Sequence, residues 1–232
     1  MSTFGELLRY MPAVAAEEDA IPIDVGKCAK AAETPTVSIR DEQIHTLVQQ
    51  LFFRHEAGAV RNVGFAPVEA SLSTASLCLD VVKALAEECS YNVGLIDASI
   101  DGSSVQDELG IQSPKYEQVA WPIGPHLWLV PRRSWWPEAE RRQPVTDQNL
   151  DRLRELMTEF DFSVACCSPV CWITERIGLN CDGLVLVLTA NKTRRLVAAQ
   201  IKERMGKIRV ALLGTILAER VFPVPQGLYR SL

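Results

Sequence analysis

One rhythm constrains this chain more than any other feature. Short, nearly unbroken apolar runs alternate with longer stretches whose apolar residues recur every three to four positions. The clearest run is 183–189, GLVLVLT, which carries no charge and is apolar at odd and even positions alike. A strand of that kind must be covered on both faces, as happens in parallel sheets flanked by helices. Similar runs predict strands at 63–66, 92–97, 127–130, 162–167 and 210–217. Helical spacing appears at 41–55 (Ile44, Leu47, Val48, Leu51, Phe52) and at 73–89 (Leu77, Val81, Leu85). It returns at 147–160, with Asp147 as the expected N-cap, and at 194–205. Repeated strand–helix–strand order predicts an α/β fold: a mostly parallel sheet flanked by helices.

The rest of the chain is less regular. Residues 1–40 mix small, acidic and proline residues, which predicts an extended or flexible N-terminal arm with a short helix at 4–10, ahead of an α/β domain at 41–232. Residues 121–142 are rich in Pro, Trp and Arg and predict a loop holding one strand. Within it, Trp135 and Trp136 follow Arg132 and Arg133; adjacent tryptophans either face a partner or tuck against the domain. The paired arginines read as solvated.

Composition narrows the function classes. A chain that is 47% apolar can build a sizeable core, and a formal net charge of −5 argues against non-specific nucleic-acid binding, which needs a basic footprint. No run approaches the ~20 apolar residues that span a bilayer. Met1 to Ala16 lacks the basic and apolar regions of a secretory signal, so the expected location is cytoplasmic. The seven cysteines (Cys28, Cys78, Cys89, Cys166, Cys167, Cys171 and Cys181) are odd in number and contain no Cys-x-x-Cys pair. They read as free thiols acting as small buried hydrophobes. The cluster Cys166, Cys167 and Cys171 has no histidine at zinc spacing, so no metal ligand is assigned.

In open α/β sheets, ligands sit beyond the carboxyl ends of the strands. The first strand-to-helix turn here is Ala66-Pro67-Val68-Glu69-Ala70-Ser71-Leu72-Ser73-Thr74-Ala75-Ser76. A phosphate-cradling turn uses glycines to bring backbone N–H groups inward, a lysine to reach the β and γ phosphates, and a hydroxyl for Mg²⁺. This turn has neither glycine nor lysine.

Read together, several segments resemble the bacterial tyrosine kinase (BY-kinase) pattern in order and spacing over about residues 42–232. The turn and its helix resemble "TSAxPGEGKSTVAANLAxALA". On that match the glycines fall on Ser71 and Ser73, the lysine on Thr74, and the hydroxyl positions on Ala75 and Ser76. Residues 42–53 resemble "EAFRALRTNLLF", whose E-x-x-R-x-x-R self-association motif becomes Glu42, His45 and Val48. Residues 95–110 resemble "LIDADLRRPSLHKLLG", keeping Asp97 and placing Ser99 at the second acidic position. Residues 160–170 resemble "FDYVIIDTPPV", with Cys166 at the Walker B aspartate. Residues 182–187 resemble the "DGVLLVV" strand, and the ending 221–232 resembles a "FPIPEGLYRRL"-like tail.

The resemblance implies a P-loop NTPase fold of the SIMIBI-like, MinD/ParA type, set in capsule or exopolysaccharide biosynthesis. It implies a membrane chain-length regulator or another polysaccharide-assembly protein as partner, peripheral attachment at the inner membrane through that partner, and a homodimer face. It marks Ser71, Ser73, Thr74, Ala75, Ser76, Asp97 and Ser99 as the positions where ATP or ADP with Mg²⁺ would sit. The replacements point to no cofactor and no catalytic residue, because phosphoryl transfer depends on positioned charge. Each lost contact costs on the order of 10² to 10³ in rate. The expected function is a pseudo-kinase or pseudo-ATPase. The alternatives are a nucleotide binder without turnover, or an ATPase or tyrosine autokinase with an atypical P-loop served by a residue such as Lys192. The family's C-terminal tyrosine cluster is represented by Tyr229 alone in the last 100 residues, read as an anchor.

Overall fold

The structure, a computed structural model, describes residues 39–53, 60–88, 91–112, 118–138 and 143–219. The expected helix at 4–10 and the tail with Tyr229 lie outside the described residues, as do Cys28 and Cys89. Among the described residues seven strands form one sheet: β1 Asn62–Pro67, β2 Val93–Ala98, β3 Trp121–Gly124, β4 Leu127–Val130, β5 Phe162–Cys167, β6 Gly183–Thr189 and β7 Leu212–Ala218. Their order is β3-β4-β2-β5-β1-β6-β7, and every neighbouring pair is parallel except β3 with β4. The helices are α1 Ile39–Val48, α2 Ala75–Glu88, α3 Val105–Glu108, α4 Asp147–Thr158, α5 Trp172–Asn180 and α6 Arg195–Lys207. A π-helical turn, Gln49–Phe53, continues α1.

The alternating side chains of each strand explain the two-sided apolar runs. Val63, Phe65, Leu95, Val164, Val185 and Val187 face one side and pack under α1 and α2. Ala66, Ile96, Ala165 and Leu186 face the other and pack on α4 and α5. Helix α2 buries Cys78, Val81, Val82 and Leu85 along one stripe. Gly64 is needed at the centre of β1, because a Cβ there would sit 2.4 Å from Leu184 Cδ2.

Three sequence expectations need correction. Among the described residues, the stretch 121–142 holds two strands, not one: β3 and β4 form an antiparallel hairpin at the sheet edge. Pro122 hid β3, yet an edge strand tolerates a proline. Helix α5 was not anticipated, because its buried face includes Thr174, Glu175 and Gly178 beside Ile173 and Ile177, which blurs the apolar stripe. The N-cap of α4 is Thr146, not Asp147. The Thr146 Oγ1 accepts from the Asn149 N–H at 3.4 Å, and the Asn149 side-chain oxygen accepts from the Thr146 N–H at 2.9 Å.

Candidate functional site

The parallel strands bring five connections to one edge of the sheet: 68–74 after β1, 99–104 after β2, 131–134 after β4, 168–171 after β5 and 190–194 after β6. The β1–α2 turn is pinned to β6 where the Val68 N–H donates to the Val187 carbonyl at 3.0 Å. Its own backbone closes where the Leu72 N–H donates to the Glu69 carbonyl at 3.2 Å. Helix α2 begins at Ala75, two residues later than the expected start. Ser71, Ser73 and Ser76 are exposed, whereas Thr74 and Ala75 are buried.

Two carboxylates border this turn. Glu69, within it, accepts hydrogen bonds from the Thr189 hydroxyl at 3.2 Å and from the Thr193 hydroxyl. Glu108, from α3, accepts from the Ser73 hydroxyl and from the Ser103 hydroxyl at 2.7 Å. Ser73 Oγ in turn accepts from the Ala75 N–H at 3.3 Å, a local cap at the start of α2. The lysine considered as a substitute for the missing one, Lys192, is exposed and pairs with Glu219 at 3.1 Å.

Beside the turn lies a buried polar network that the sequence did not reveal. Asp97, at the end of β2, is 1% exposed. Its Oδ1 accepts from the Ser99 N–H at 3.1 Å and from the Ser99 hydroxyl, and its Oδ2 accepts from the Val105 N–H at 3.2 Å. Arg132, from the turn after β4, puts Nε 3.8 Å from Asp97 Oδ2. Its Nη2 donates to Ser99 Oγ at 2.6 Å and to the Ser103 carbonyl at 3.2 Å. Burial raises the Asp97 pKa from 3.8, with the Ser99 hydroxyl and the Arg132 charge pulling it back. Arg132 was read as half of a solvated Arg-Arg pair. The signal that could have singled it out is its place directly after β4, the parallel neighbour of β2. Trp135 and Trp136 are buried, so they form no contact surface; the Trp135 indole N–H donates to the Asp97 carbonyl at 2.8 Å.

Cys166 lies on β5 directly beside Asp97 on β2. Its Sγ is 3.3 Å from Thr74 Oγ1. Cys78, Cys166 and Cys167 are buried, and Cys171 and Cys181 are half-buried. Burial pushes the Cys78 and Cys167 thiols up well above 9.0, and pushes Cys181 up to about 12 with the Asp182 charge adding. Such thiols stay protonated and behave as packing groups.

The loop after β5 completes the edge. Ser168 Oγ accepts from the Ile100 N–H at 2.7 Å and the Asp101 N–H at 3.3 Å, tying the β2 connection to β5. The positions matched to the self-association motif differ in burial: Glu42 is exposed and His45 is half-buried. Val48 is buried, and His45 Nδ1 lies 2.9 Å from Glu88 of α2.

These residues do not fit a Mg²⁺-bound nucleotide. The buried carboxylate matched to the metal position, Asp97, already has a guanidinium beside it, and two carboxylates, Glu69 within the turn and Glu108 beside it, border a place where phosphates would need cations. Among the described residues no group of three or more His, Cys, Asp or Glu is placed to hold a metal ion, and no helix is long and apolar enough to cross a membrane.

No family model and no curated protein sequence matches the chain. Solved structures do. The chimerical protein CapA2B2 aligns at 14% identity and a TM-score of 0.66, over 80% of this chain and 86% of that one. The kinase domain of the Escherichia coli tyrosine kinase ETK aligns at 15% identity and a TM-score of 0.57, over 98% of this chain and 92% of that one. The septum site-determining protein MinD of Pyrococcus horikoshii, complexed with Mg-ADP, aligns at 14% identity and a TM-score of 0.57, over 74% of this chain and 76% of that one. Sheet order and these likenesses together establish that the chain has the P-loop NTPase fold shared by bacterial tyrosine kinase domains and MinD-type ATPases.

Proposed function

We propose that this chain is a non-catalytic pseudo-kinase or pseudo-ATPase that acts by protein contact in capsule or exopolysaccharide biosynthesis. The observation that carries the reading is the burial of Arg132 against Asp97 and Ser99. The one acidic residue matched to the family's metal and phosphate site is thereby spent on an internal guanidinium. Phosphoryl transfer needs charge placed on the substrate, and here the charges neutralise each other. The pathway follows from the tyrosine kinase resemblance, which also names the partner class: a membrane chain-length regulator or another polysaccharide-assembly protein, holding this chain at the inner membrane. Self-association as a dimer belongs to the same reading. Purified protein incubated with Mg·ATP is expected to release no phosphate above a blank and to incorporate no label on tyrosine. Mg²⁺-dependent activity of either kind overturns the reading.

A second reading, nucleotide binding without turnover, is favoured by one feature. The exposed hydroxyls of Ser71 and Ser76 flank the start of α2, a 14-residue helix whose N-terminus attracts anions. Thermal melting with ADP, with and without Mg²⁺, separates the two: a rise in melting temperature supports binding, and no rise at millimolar ADP removes it.

A further inference from the structure

The contacts of Glu108 and of Arg132 meet at one residue, Ser103. The Ser103 hydroxyl donates to Glu108 at 2.7 Å, and the Ser103 carbonyl accepts from Arg132 Nη2 at 3.2 Å. Glu108 accepts from the Ser73 hydroxyl of the turn, and Arg132 sits among three oxygens: Asp97 Oδ2, Ser99 Oγ and the Ser103 carbonyl. Those are hard oxygen donors of the kind a divalent cation takes. Glu108 in turn offers the turn a carboxylate, the charge type a phosphate would bring. On the far side, Ser168 Oγ accepts from the Ile100 and Asp101 N–H groups.

We propose that the chain ligates its own site, Arg132 standing in for the cation and Glu108 for the anion, so that the segment 99–108 is latched shut over the β1–α2 turn. The proposal rests on the non-catalytic reading and extends it from lost residues to gained ones. Ser103 couples the two halves, because its hydroxyl is held by one and its carbonyl by the other. The latch has one arm in the core, at Arg132, and one at the surface, at Glu108 and Ser73. Segment 99–108 is therefore held by side chains that belong to four separate elements or loops: β2, the β1–α2 turn, and the connections after β4 and β5.

The surface arm gives a test in proteins that fold. Glu108 and Ser73 are both exposed, so Glu108→Ala and Ser73→Ala leave the core intact. Hydrogen exchange read by mass spectrometry on peptides covering 99–108 is expected to quicken by about tenfold in Ser73→Ala, the effect of losing one charge-assisted hydrogen bond, and by at least as much in Glu108→Ala, which also loses the Ser103 contact. Peptides from β6 serve as the unchanged control. The double variant is expected to exchange no faster than Glu108→Ala alone, since both substitutions break the same contact. Exchange in 99–108 equal to wild type in both single variants overturns the latch. Additive quickening in the double variant overturns the Glu108–Ser73 link. Mg·ATP turnover by the wild-type protein is a different result, and it defeats the non-catalytic reading instead.

Discussion

Asp97 and Cys166 are register partners on the adjoining parallel strands β2 and β5, and each is engaged by a different element. Arg132 lies beside Asp97, while Thr74 meets Cys166 at 3.3 Å. Two positions matched to acidic residues of a nucleotide site thus serve one ion pair and one packed thiol. The two contacts can be probed separately.

Arg132→Met is expected to destabilise the protein by about 3 kcal/mol at neutral pH, because it leaves a buried carboxylate without its counter-charge. The pH dependence follows from Asp97. Its folded pKa is raised from 3.8, chiefly by burial, so its contribution to stability is whole below the unfolded value and is lost as pH rises through the higher folded value. Without the guanidinium the folded pKa climbs further. The gap between Arg132→Met and wild type therefore narrows on acidification, as Asp97 takes up a proton. Urea unfolding at neutral and mildly acidic pH checks both the size and the sign.

Placing a carboxylate at the matched position with Cys166→Asp is expected to lower stability by about 3 kcal/mol and, on the proposed reading, to produce no turnover of Mg·ATP. The new charge would be buried between Thr74 and an apolar layer that includes Val164 and Cys78, with Arg132 already committed to Asp97. Denaturant melts and a phosphate-release assay read the two outcomes separately.

Thr146→Ala removes one arm of the reciprocal cap at the start of α4. The expected loss is about 1 kcal/mol. Calorimetric melting measures it. Asp147→Ala is expected to cost less, since Asp147 is not the cap, although its Oδ1 pairs with Arg176.

Cys78, Cys166 and Cys167 are expected to resist a disulfide reagent in native buffer and to react only as the protein unfolds. All three are buried, and burial holds the Cys78 and Cys167 thiols in the protonated form. Alkylation with site identification by mass spectrometry, across a urea series, follows each one. Rapid native labelling of Cys166 would contradict its packing against Thr74.

The strands were the most legible part of the fold. The runs at 127–130, 162–167 and 183–189 coincide with β4, β5 and β6, and the remaining predicted strands lie within two residues of β1, β2 and β7. Their unbroken apolar runs are a property of neighbouring residues and need no knowledge of the far chain. Helix α5 was illegible because Thr174 is fully buried yet polar, its hydroxyl donating to the Ser168 and Pro169 carbonyls. Pro122 disguised β3 for a similar reason: only its place at the sheet edge, beside β4, makes a proline acceptable there. At the candidate site, Ser71, Ser73, Thr74, Ala75, Ser76, Asp97 and Ser99 were named from motif positions alone. Arg132, Glu69 and Glu108 were not, because each gains its role from a partner distant in sequence.

The amino-acid order by itself determined the alternation of strands and helices, the carboxyl-edge turn where ligand chemistry belongs, and the absence of glycine and lysine from it. Only the tertiary structure decided which charges meet: Arg132 with Asp97, Glu108 with Ser73, and Trp135 with the Asp97 carbonyl. The reason is physical. Burial of apolar faces repeats with the period of the backbone and is written locally, whereas electrostatic pairing depends on distance through space and on the water that folding removes.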